Sequence, residues 1–279
     1  MINFTLPCFF HNFKLNNYFI DLQRLHPEYF LARVNFNNIS GNFPYNYWNG
    51  GYNNNLNSSN FTDYQSIFTY IFVPLNFNCS NIFLTEEDLD DAKMNLILEL
   101  NQTGNNIITV SNFSILKFLQ DKYPYYHYNL SREAHLINNF TPEIINSILE
   151  KKNFNLIELF PNVDFEFLKK IKNKEKINIL IGNKKCYNCR YYTECKINEH
   201  INQYNFSNQM KMFNCPIRND IQFNLTLNDI IEKYIPLNIT HFSFDDYIMS
   251  NNMNLLNTYI DFFIKDEYKY LVEKNFYKG

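Results

Sequence analysis

The stretch NLIELFPNVDFEFLKKIKNKEKINILI, residues 155–181, contains the pattern that decides the fold. It begins with a short apolar run, residues 155–160, and ends with another, residues 177–181; both are typical of buried parallel strands. Between them, Asp164 precedes a segment of helical spacing that ends in a lysine-rich run, and cations are favourable at a helix C-terminus. The stretch therefore predicts a strand, a helix and a second strand.

The same alternation recurs along the rest of the chain. Together with the two runs above, six further apolar runs predict about eight strands: residues 32–36, 70–77, 106–110, 125–130, 221–225 and 239–244. Further helices are predicted at residues 12–30, 86–101, 142–152 and 227–234. Thr85, Thr141 and Thr226 precede three of these helices, and threonine is a favoured N-cap residue.

About eight strand and helix units in 279 residues favour a closed barrel over an open doubly wound sheet. Neither GxGxxG nor GxxxxGK[ST] occurs, which removes the usual support for the open sheet. We therefore expect an α/β fold in which residues 1–279 form a single (β/α)8 TIM-like barrel with an N-terminal helix.

In such a barrel, the functional residues follow the carboxyl ends of the strands. Glu158 and His241 are the acid–base candidates, although a histidine in an alternating strand is as often a core residue. The candidates for substrate binding are Trp48, Asn49, Asn76 and Asn183. Trp48 either stacks on a substrate ring or plugs the mouth of the barrel. Further strand-end candidates are Asn78, Ser111, Arg132, Glu133, Asp245 and Asp246.

Four of the six cysteines fall in one short segment: Cys186, Cys189, Cys195 and Cys215. We predict that residues 183–219 form a cysteine-rich insertion after the sixth strand. A disulfide-stabilised secreted domain would be shorter and would scatter its cysteines, so the grouping indicates a metal site in a reducing compartment.

Four thiolates suit either a 4Fe-4S cluster or a closed zinc site. A third interpretation is that the thiols bind no metal or are redox-active. The proline after Cys215 favours the cluster, because proline after a ligand cysteine recurs in ferredoxin-type sites. A rival zinc set is Cys186, Cys189, Cys195 and His200, which leaves Cys215 without a metal.

The charge balance and the hydropathy of the chain limit the kinds of partner that we expect it to bind. The chain has 25 Lys and Arg against 28 Asp and Glu, a balance that gives no support for nucleic-acid binding. The longest apolar runs are far shorter than a membrane span, and residues 1–19 lack the pattern of a secretory signal. We expect a cytoplasmic protein with no membrane partner; the sequence does not set its oligomeric state.

Several short stretches resemble the collagenase-like peptidase family, and especially a little-described branch from low-GC anaerobes and their mobile elements. The similar stretches are Gly41-Asn42-Phe43-Pro44, Trp48-Asn49-Gly50-Gly51, Glu199-His200 after the cysteine segment, and Thr240-His241-Phe242. The chain departs from the family at Cys189-Arg190, where relatives carry Cys-Pro, and at Phe244-Asp245-Asp246, where they carry a basic turn. The resemblance implies a barrel with a late cysteine cluster, as in oxygen-independent iron–sulfur hydroxylases and nominal proteases.

Two hypotheses about function follow. The first is an iron–sulfur enzyme that hydroxylates or otherwise modifies an aromatic or nucleotide-like small molecule. The second is a non-catalytic barrel in which structural zinc stabilises a long loop, so that the protein serves as a binding or scaffold module.

Overall fold

The computed structural model shows a closed barrel of eight parallel strands in sequence order. It describes residues 1–7, 9–41, 48, 73–102, 104–150, 154–160, 163–182, 194–195, 197–198, 225–245 and 254–278. The strands are β1 (Ile2–Leu6), β2 (Val34–Gly41), β3 (Leu75–Cys79), β4 (Ile107–Val110), β5 (His127–Leu130), β6 (Phe154–Leu159), β7 (Ile177–Ile181) and β8 (His241–Phe244). Pairing of β1 with β8 closes the barrel, which confirms the predicted α/β barrel class.

Helices surround the strands in the described parts of the chain. They are α1 (Phe9–Leu25), α2 (Ala92–Leu100), α3 (Phe113–Lys122), α4 (Arg132–Asn138), α5 (Pro142–Leu149), α6 (Phe165–Lys169), α7 (Leu227–Asp229), α8 (Leu255–Phe263) and α9 (Asp266–Lys278). From α7 the chain continues through a π-helical turn, Ile230–Tyr234, and a 3-10 turn, Ile235–Leu237.

The hydrophobic core lies between the outer face of the barrel and these helices. Phe263 of α8 is fully buried there, and its ring centroid lies 5.0 Å from that of Phe4 and 5.2 Å from that of Phe36. Both contacts are edge-to-face, the arrangement that aromatic rings favour. Apolar residues at every second position of the strands therefore attach the helices to the barrel.

The prediction missed the first strand. β1 alternates outward Ile2, Phe4 and Leu6 with inward Asn3 and Thr5, which is the period-two pattern of a strand. Consequently α1 is the connection between β1 and β2 and not an extra N-terminal helix.

The strand predicted at residues 221–225 lies outside the described residues except for Leu225, which is not in a strand. In the barrel, β7 pairs directly with β8. Because β1 adds one strand at the start of the chain, the cysteine segment follows the seventh strand, and the prediction that it follows the sixth was wrong.

Local signals placed several helix starts correctly. The side chains of Thr141 and Asp164 accept backbone N–H groups at the starts of α5 and α6, and Thr226 forms a capping box with Asp229. The predicted helix 12–30 was too long, because α1 ends at Leu25 and Pro27 begins a separate 3-10 turn. The predicted helix 86–101 is a 3-10 turn, Glu87–Leu89, followed by α2.

Among the described residues, no helix combines the length and the apolar character needed to cross a bilayer.

Candidate functional site

The interior of the barrel is polar over two successive layers. In a parallel barrel, the register partners of an inward residue also point inward, and each layer takes four side chains from alternate strands. Grouped in this way, the odd-numbered strands contribute Thr5, Asn76, Asn129 and Asn178, and the even-numbered strands contribute Ser40, Thr109, Glu158 and Ser243. All eight are buried. Such layers are usually filled by Val, Ile and Leu, so this interior is unusual.

Hydrogen bonds join the polar side chains across neighbouring strands. Thr109 Oγ1 donates to Asn76 Oδ1 over 2.7 Å. Asn178 Nδ2 donates to Glu158 Oε1 over 3.3 Å and also to Ser243 Oγ. These bonds offset part of the cost of burying the groups, because a buried polar atom without a partner is destabilising.

A small cavity lies above these layers at the carboxyl end of the barrel. Side chains of both layers line it: Thr5, Ser40, Asn76, Thr109, Glu158 and Ser243. The remaining lining residues come from later positions on the same strands and from the start of α4: Asn78, Ser80, Ser131, Arg132, Glu133, Leu180 and Phe244. This is the end at which barrel enzymes carry their active sites.

One wall of the cavity contains a buried charge cluster. Arg132 Nε lies 2.8 Å from Glu133 Oε1, and Arg132 Nη2 lies 3.6 Å from Asp245 Oδ2. The three side chains are only 6%, 6% and 2% exposed, so water screens these charges weakly. The guanidinium links α4 to the end of β8.

A short hydroxyl network lies beside this cluster. Ser111 Oγ donates to the carbonyl oxygen of Ser80 over 2.5 Å, and it lies 2.6 Å from Ser131 Oγ. It joins the ends of β3, β4 and β5, and it helps to fix Ser131, which directly precedes Arg132 and Glu133 at the start of α4.

Two amide oxygens in this region have no hydrogen-bond partner among the described residues: Asn78 Oδ1, at the cavity lining, and Asn178 Oδ1. The orientation of the Asn178 amide is set by Glu158, because a carboxylate accepts hydrogen bonds and must face the Nδ2 group. A buried acceptor without a donor destabilises the folded state, so both oxygens are suited to accept a hydrogen bond from a ligand or water.

The structure brings two of the predicted site residues to the cavity, Glu158 and Asn76. Asn78, Arg132 and Glu133, which were also expected at strand ends, line it too.

His241 occupies a different position from these residues. It is the first residue of β8, at the opposite end of the strand from the mouth, and it does not line the cavity. Its register partner Asn178 separates it from Glu158. Burial lowers the pKa of its imidazole below the ordinary value, which favours the neutral form.

Trp48 is fully buried and does not line the cavity. Its Nε1 donates to the carbonyl oxygen of Asp88 over 3.0 Å, and its own carbonyl accepts from Asn81 N over 2.9 Å. These contacts attach Trp48 to the segment after β3, so in this conformation it packs and does not present a face to a substrate.

The remaining predicted site residues are mostly outside the described residues: Asn49, Asn183, Cys186, Cys189 and Cys215. Cys195 is described and partly buried. Within the described part of the chain, no group of three or more His, Cys, Asp or Glu side chains is arranged to hold a metal. The predicted cysteine ligand set therefore stays a prediction.

Sequence reasoning missed the polar residues within the strands: Thr5, Ser40, Thr109, Asn178 and Ser243. Their signal is a polar residue at every second position of an otherwise apolar strand, as in His-Phe-Ser-Phe of β8. That alternation normally marks a strand with one face in water, and here the polar face points into the barrel instead.

Comparison of the chain with models of known protein families, with curated proteins and with solved structures gave no match. The resemblance to the collagenase-like peptidase family thus remains a prediction from the short stretches that carry it.

Proposed function

We propose that the protein is a barrel enzyme that acts on a small polar molecule held in the mouth cavity. The observation that carries the proposal is the pair of polar layers that opens into this cavity. Filling the interior with Asn, Ser, Thr and Glu forgoes the stability that branched apolar side chains would contribute. This loss of stability is explained if the polar groups bind and orient a ligand.

Glu158 is the residue that we assign to acid–base chemistry. It lines the cavity, is buried, and accepts a hydrogen bond from Asn178 that holds one carboxylate oxygen in place. A positioned carboxyl group can take or give a proton at a bound substrate. Asn76 and Thr109, which are bonded to each other on the opposite side, are suited to hold the polar groups of that substrate.

The described lining favours a polar over an aromatic substrate. Phe244 is the aromatic residue among the described lining residues, whereas amides, hydroxyls and carboxylates make up most of the rest. Trp48, the expected stacking residue, is packed elsewhere. A small polar compound therefore fits the proposal better than an aromatic ring, and better than a nucleotide-like molecule, whose base is also aromatic.

The cysteine segment is the second part of the proposal. We propose that Cys186, Cys189, Cys195 and Cys215 bind a 4Fe-4S cluster, with zinc as the alternative, in a cytoplasmic protein. The chain leaves β7 at Ile181, at the cavity end of the barrel, five residues before Cys186. This placement and the resemblance to a family with iron–sulfur hydroxylases support a role for the cluster in the same reaction.

A turnover assay tests the enzyme proposal. Anaerobically purified protein is incubated with a mixture of polar metabolites, and depletion of each compound is followed by mass spectrometry. We expect the wild type to consume one compound, Glu158→Gln to lose that activity with an unchanged melting temperature, and Glu150→Gln, at an exposed position, to keep it. Equal turnover by Glu158→Gln would overturn the role of Glu158, and no turnover by the wild type would favour the scaffold hypothesis.

Iron and sulfide analysis of the same preparation tests the cluster. A brown protein with iron and sulfide is expected, and Cys215→Ser should lose the iron absorbance. Colourless protein with zinc and no iron would reject the cluster. In that case, retention of zinc in Cys215→Ser and its loss in His200→Ala would identify the rival ligand set.

A further inference from the structure

We infer that Leu180, together with Phe160, makes the mouth cavity specific for a small molecule that is polar at one end and carries a short alkyl group at the other. The inference deepens the proposed function and rests on it, because it names the class of ligand for the same cavity. Three observations carry it: an apolar pair on one wall, polar groups on the opposite wall, and the position of the pair above Glu158.

The apolar pair lies inside the barrel. Leu180 of β7 lines the cavity, and its register partner on β8 is the lining residue Ser243. Leu159 is paired with Ile179, so Phe160 and Leu180 are the next neighbours along the two strands. Phe160 is 6% exposed and Leu180 is 1% exposed, and among the described residues they form a buried cluster separate from the main core. One wall of the mouth is therefore apolar.

The opposite wall is polar. In the eight-stranded barrel β3 lies four strands away from β7, and it contributes Asn76 and Asn78 to the lining, followed by Ser80. Thr109 of the neighbouring strand β4 lines the same side. Amide and hydroxyl groups both donate and accept hydrogen bonds, so this wall can bind a carbonyl, amide or hydroxyl group of a ligand. The mouth thus offers different chemistry to the two ends of a bound molecule.

This division disfavours two classes of ligand. A molecule with polar groups on all sides would lose hydrogen bonds to water where it meets Leu180 and Phe160, and its unpaired groups would weaken binding. A wholly apolar molecule would instead displace water from the polar wall without replacing the hydrogen bonds of that water. A molecule with one polar end and one alkyl end matches both walls.

The apolar pair also sets where a ligand lies relative to the proposed acid–base residue. Glu158 and Asn178 are register partners, and each lies two residues before a member of the pair on the same strand. An alkyl group packed against Leu180 is therefore held one layer above Glu158, where it keeps water away from that carboxylate. We assign Leu180 a role in specificity, and the chemistry stays with Glu158.

NMR titration with three small amides tests the inference: isobutyramide, acetamide, which has the shorter alkyl group, and malonamide, in which a second amide group takes the place of the alkyl end. We expect isobutyramide to bind at one site per chain and about 10-fold more tightly than malonamide, because the second amide of malonamide meets the apolar wall. It should also bind several-fold more tightly than acetamide, since its additional methyl groups are buried.

Two substitutions at Leu180 assign the preference to this side chain. Leu180→Asn keeps the size of the side chain and makes it polar, so it should weaken isobutyramide about 10-fold and leave malonamide bound at least as tightly as before. Leu180→Ala enlarges the cavity and should shift the preference to isovaleramide, whose alkyl group is longer by a single carbon. This second variant keeps the inference testable if Leu180→Asn does not fold.

Leu159→Ala is the matched control. Leu159 is fully buried on the outer face of β6, so its truncation should lower the melting temperature and leave the order of the three amides unchanged.

The outcomes separate this inference from the proposed function. Malonamide binding as tightly as isobutyramide, absence of isobutyramide binding, or an alkyl preference that the Leu180 variants retain would overturn the inference. A substrate without an alkyl group in the turnover assay would also overturn it, while the cavity would remain the active site. The expected binding pattern without turnover of any compound by the wild type would support the specificity of the cavity and count against the enzyme proposal.

Discussion

The two faces of the barrel strands differ sharply in chemistry. On β8, Phe242 and Phe244 point outward into an aromatic layer, whereas His241 and Ser243 point inward. β1 repeats the division, with Phe4 outward and Asn3 and Thr5 inward. Most TIM barrels use apolar residues on both faces, so the division here is a property of this sequence.

Stability and the proposed ligand binding therefore occupy opposite faces of the same strands. The outer face gains free energy from burial of large rings, and this gain does not depend on any ligand. The inner face gains less, because each hydrogen bond between buried polar groups replaces one with water. A barrel held together from outside can keep a polar interior for binding.

Removal of an aromatic ring from the outer face of the barrel should lower the free energy of unfolding more than the other changes predicted below. Phe263→Ala deletes a side chain in contact with Phe4, Phe36 and Phe244, and it should lower the free energy of unfolding by about 4 kcal/mol. Urea denaturation measures the change. Tyr277→Ala, at a position 73% exposed, is the control and should stay within about 0.5 kcal/mol of the wild type. A loss below about 1 kcal/mol in Phe263→Ala would contradict the assignment of stability to the outer face.

Removal of the buried Arg132 guanidinium should cause the next largest loss in the free energy of unfolding. Arg132→Met leaves Glu133 and Asp245 without their cation, and we expect a loss of about 3 kcal/mol in the free energy of unfolding. Combining it with Glu133→Gln and Asp245→Asn should recover a large part of the loss, because the uncompensated charges are then gone. Failure of the triple variant to recover would mean that packing, and not charge, makes Arg132 important.

The outer face is also the part that the sequence predicts well. Alternating apolar runs separated by helical segments gave the barrel and seven of its strands in outline, because burial of apolar residues follows directly from their pattern. β1 was missed although it has the period-two pattern, and its length is not the reason, because β4, β5 and β8 are shorter and were predicted. The run at 221–225 was predicted as a strand, yet β7 pairs directly with β8. Hydrophobicity indicates burial; strand pairing decides which runs join the sheet.

The candidate site could be predicted only in part. Strand-end position identified Glu158, Asn76, Arg132 and Glu133, because the carboxyl ends of all strands meet at one mouth. It could not show that Asn178 bonds to Glu158, or that Trp48 turns away, since both depend on side-chain contacts between elements distant in sequence. The residues Cys186, Cys189 and Cys215 lie outside the described part of the chain and remain predictions from their spacing.

Removal of a single hydrogen bond on the inner face should lower the free energy of unfolding less than either substitution above. Thr109→Val keeps the shape of the side chain and removes the donor to Asn76 Oδ1. We expect a loss of about 1.5 kcal/mol in the free energy of unfolding, since the buried amide oxygen is left without a partner. Thermal and urea denaturation measure it, with Ser114→Ala at an exposed position of α3 as control. An unchanged or increased stability in Thr109→Val would indicate that this bond is replaced by water from the cavity.

The smallest effect should be a dependence of stability on pH that arises from His241. Burial lowers the pKa of His241 in the folded protein below its ordinary value, so the unfolded chain binds the proton more readily. As the pH falls from about 7.5 through 6.5, the folded state should therefore lose stability, at a rate below the ~1.4 kcal/mol per pH unit that one proton allows.

The burial of His135 adds a contribution of the same sign, and comparing the wild type with His241→Asn isolates the part due to the barrel interior. The slope of unfolding free energy against pH should become smaller in His241→Asn. An equal slope in His241→Asn and the wild type would show that water reaches this end of the barrel, and the inner face would then be wetter than its burial indicates.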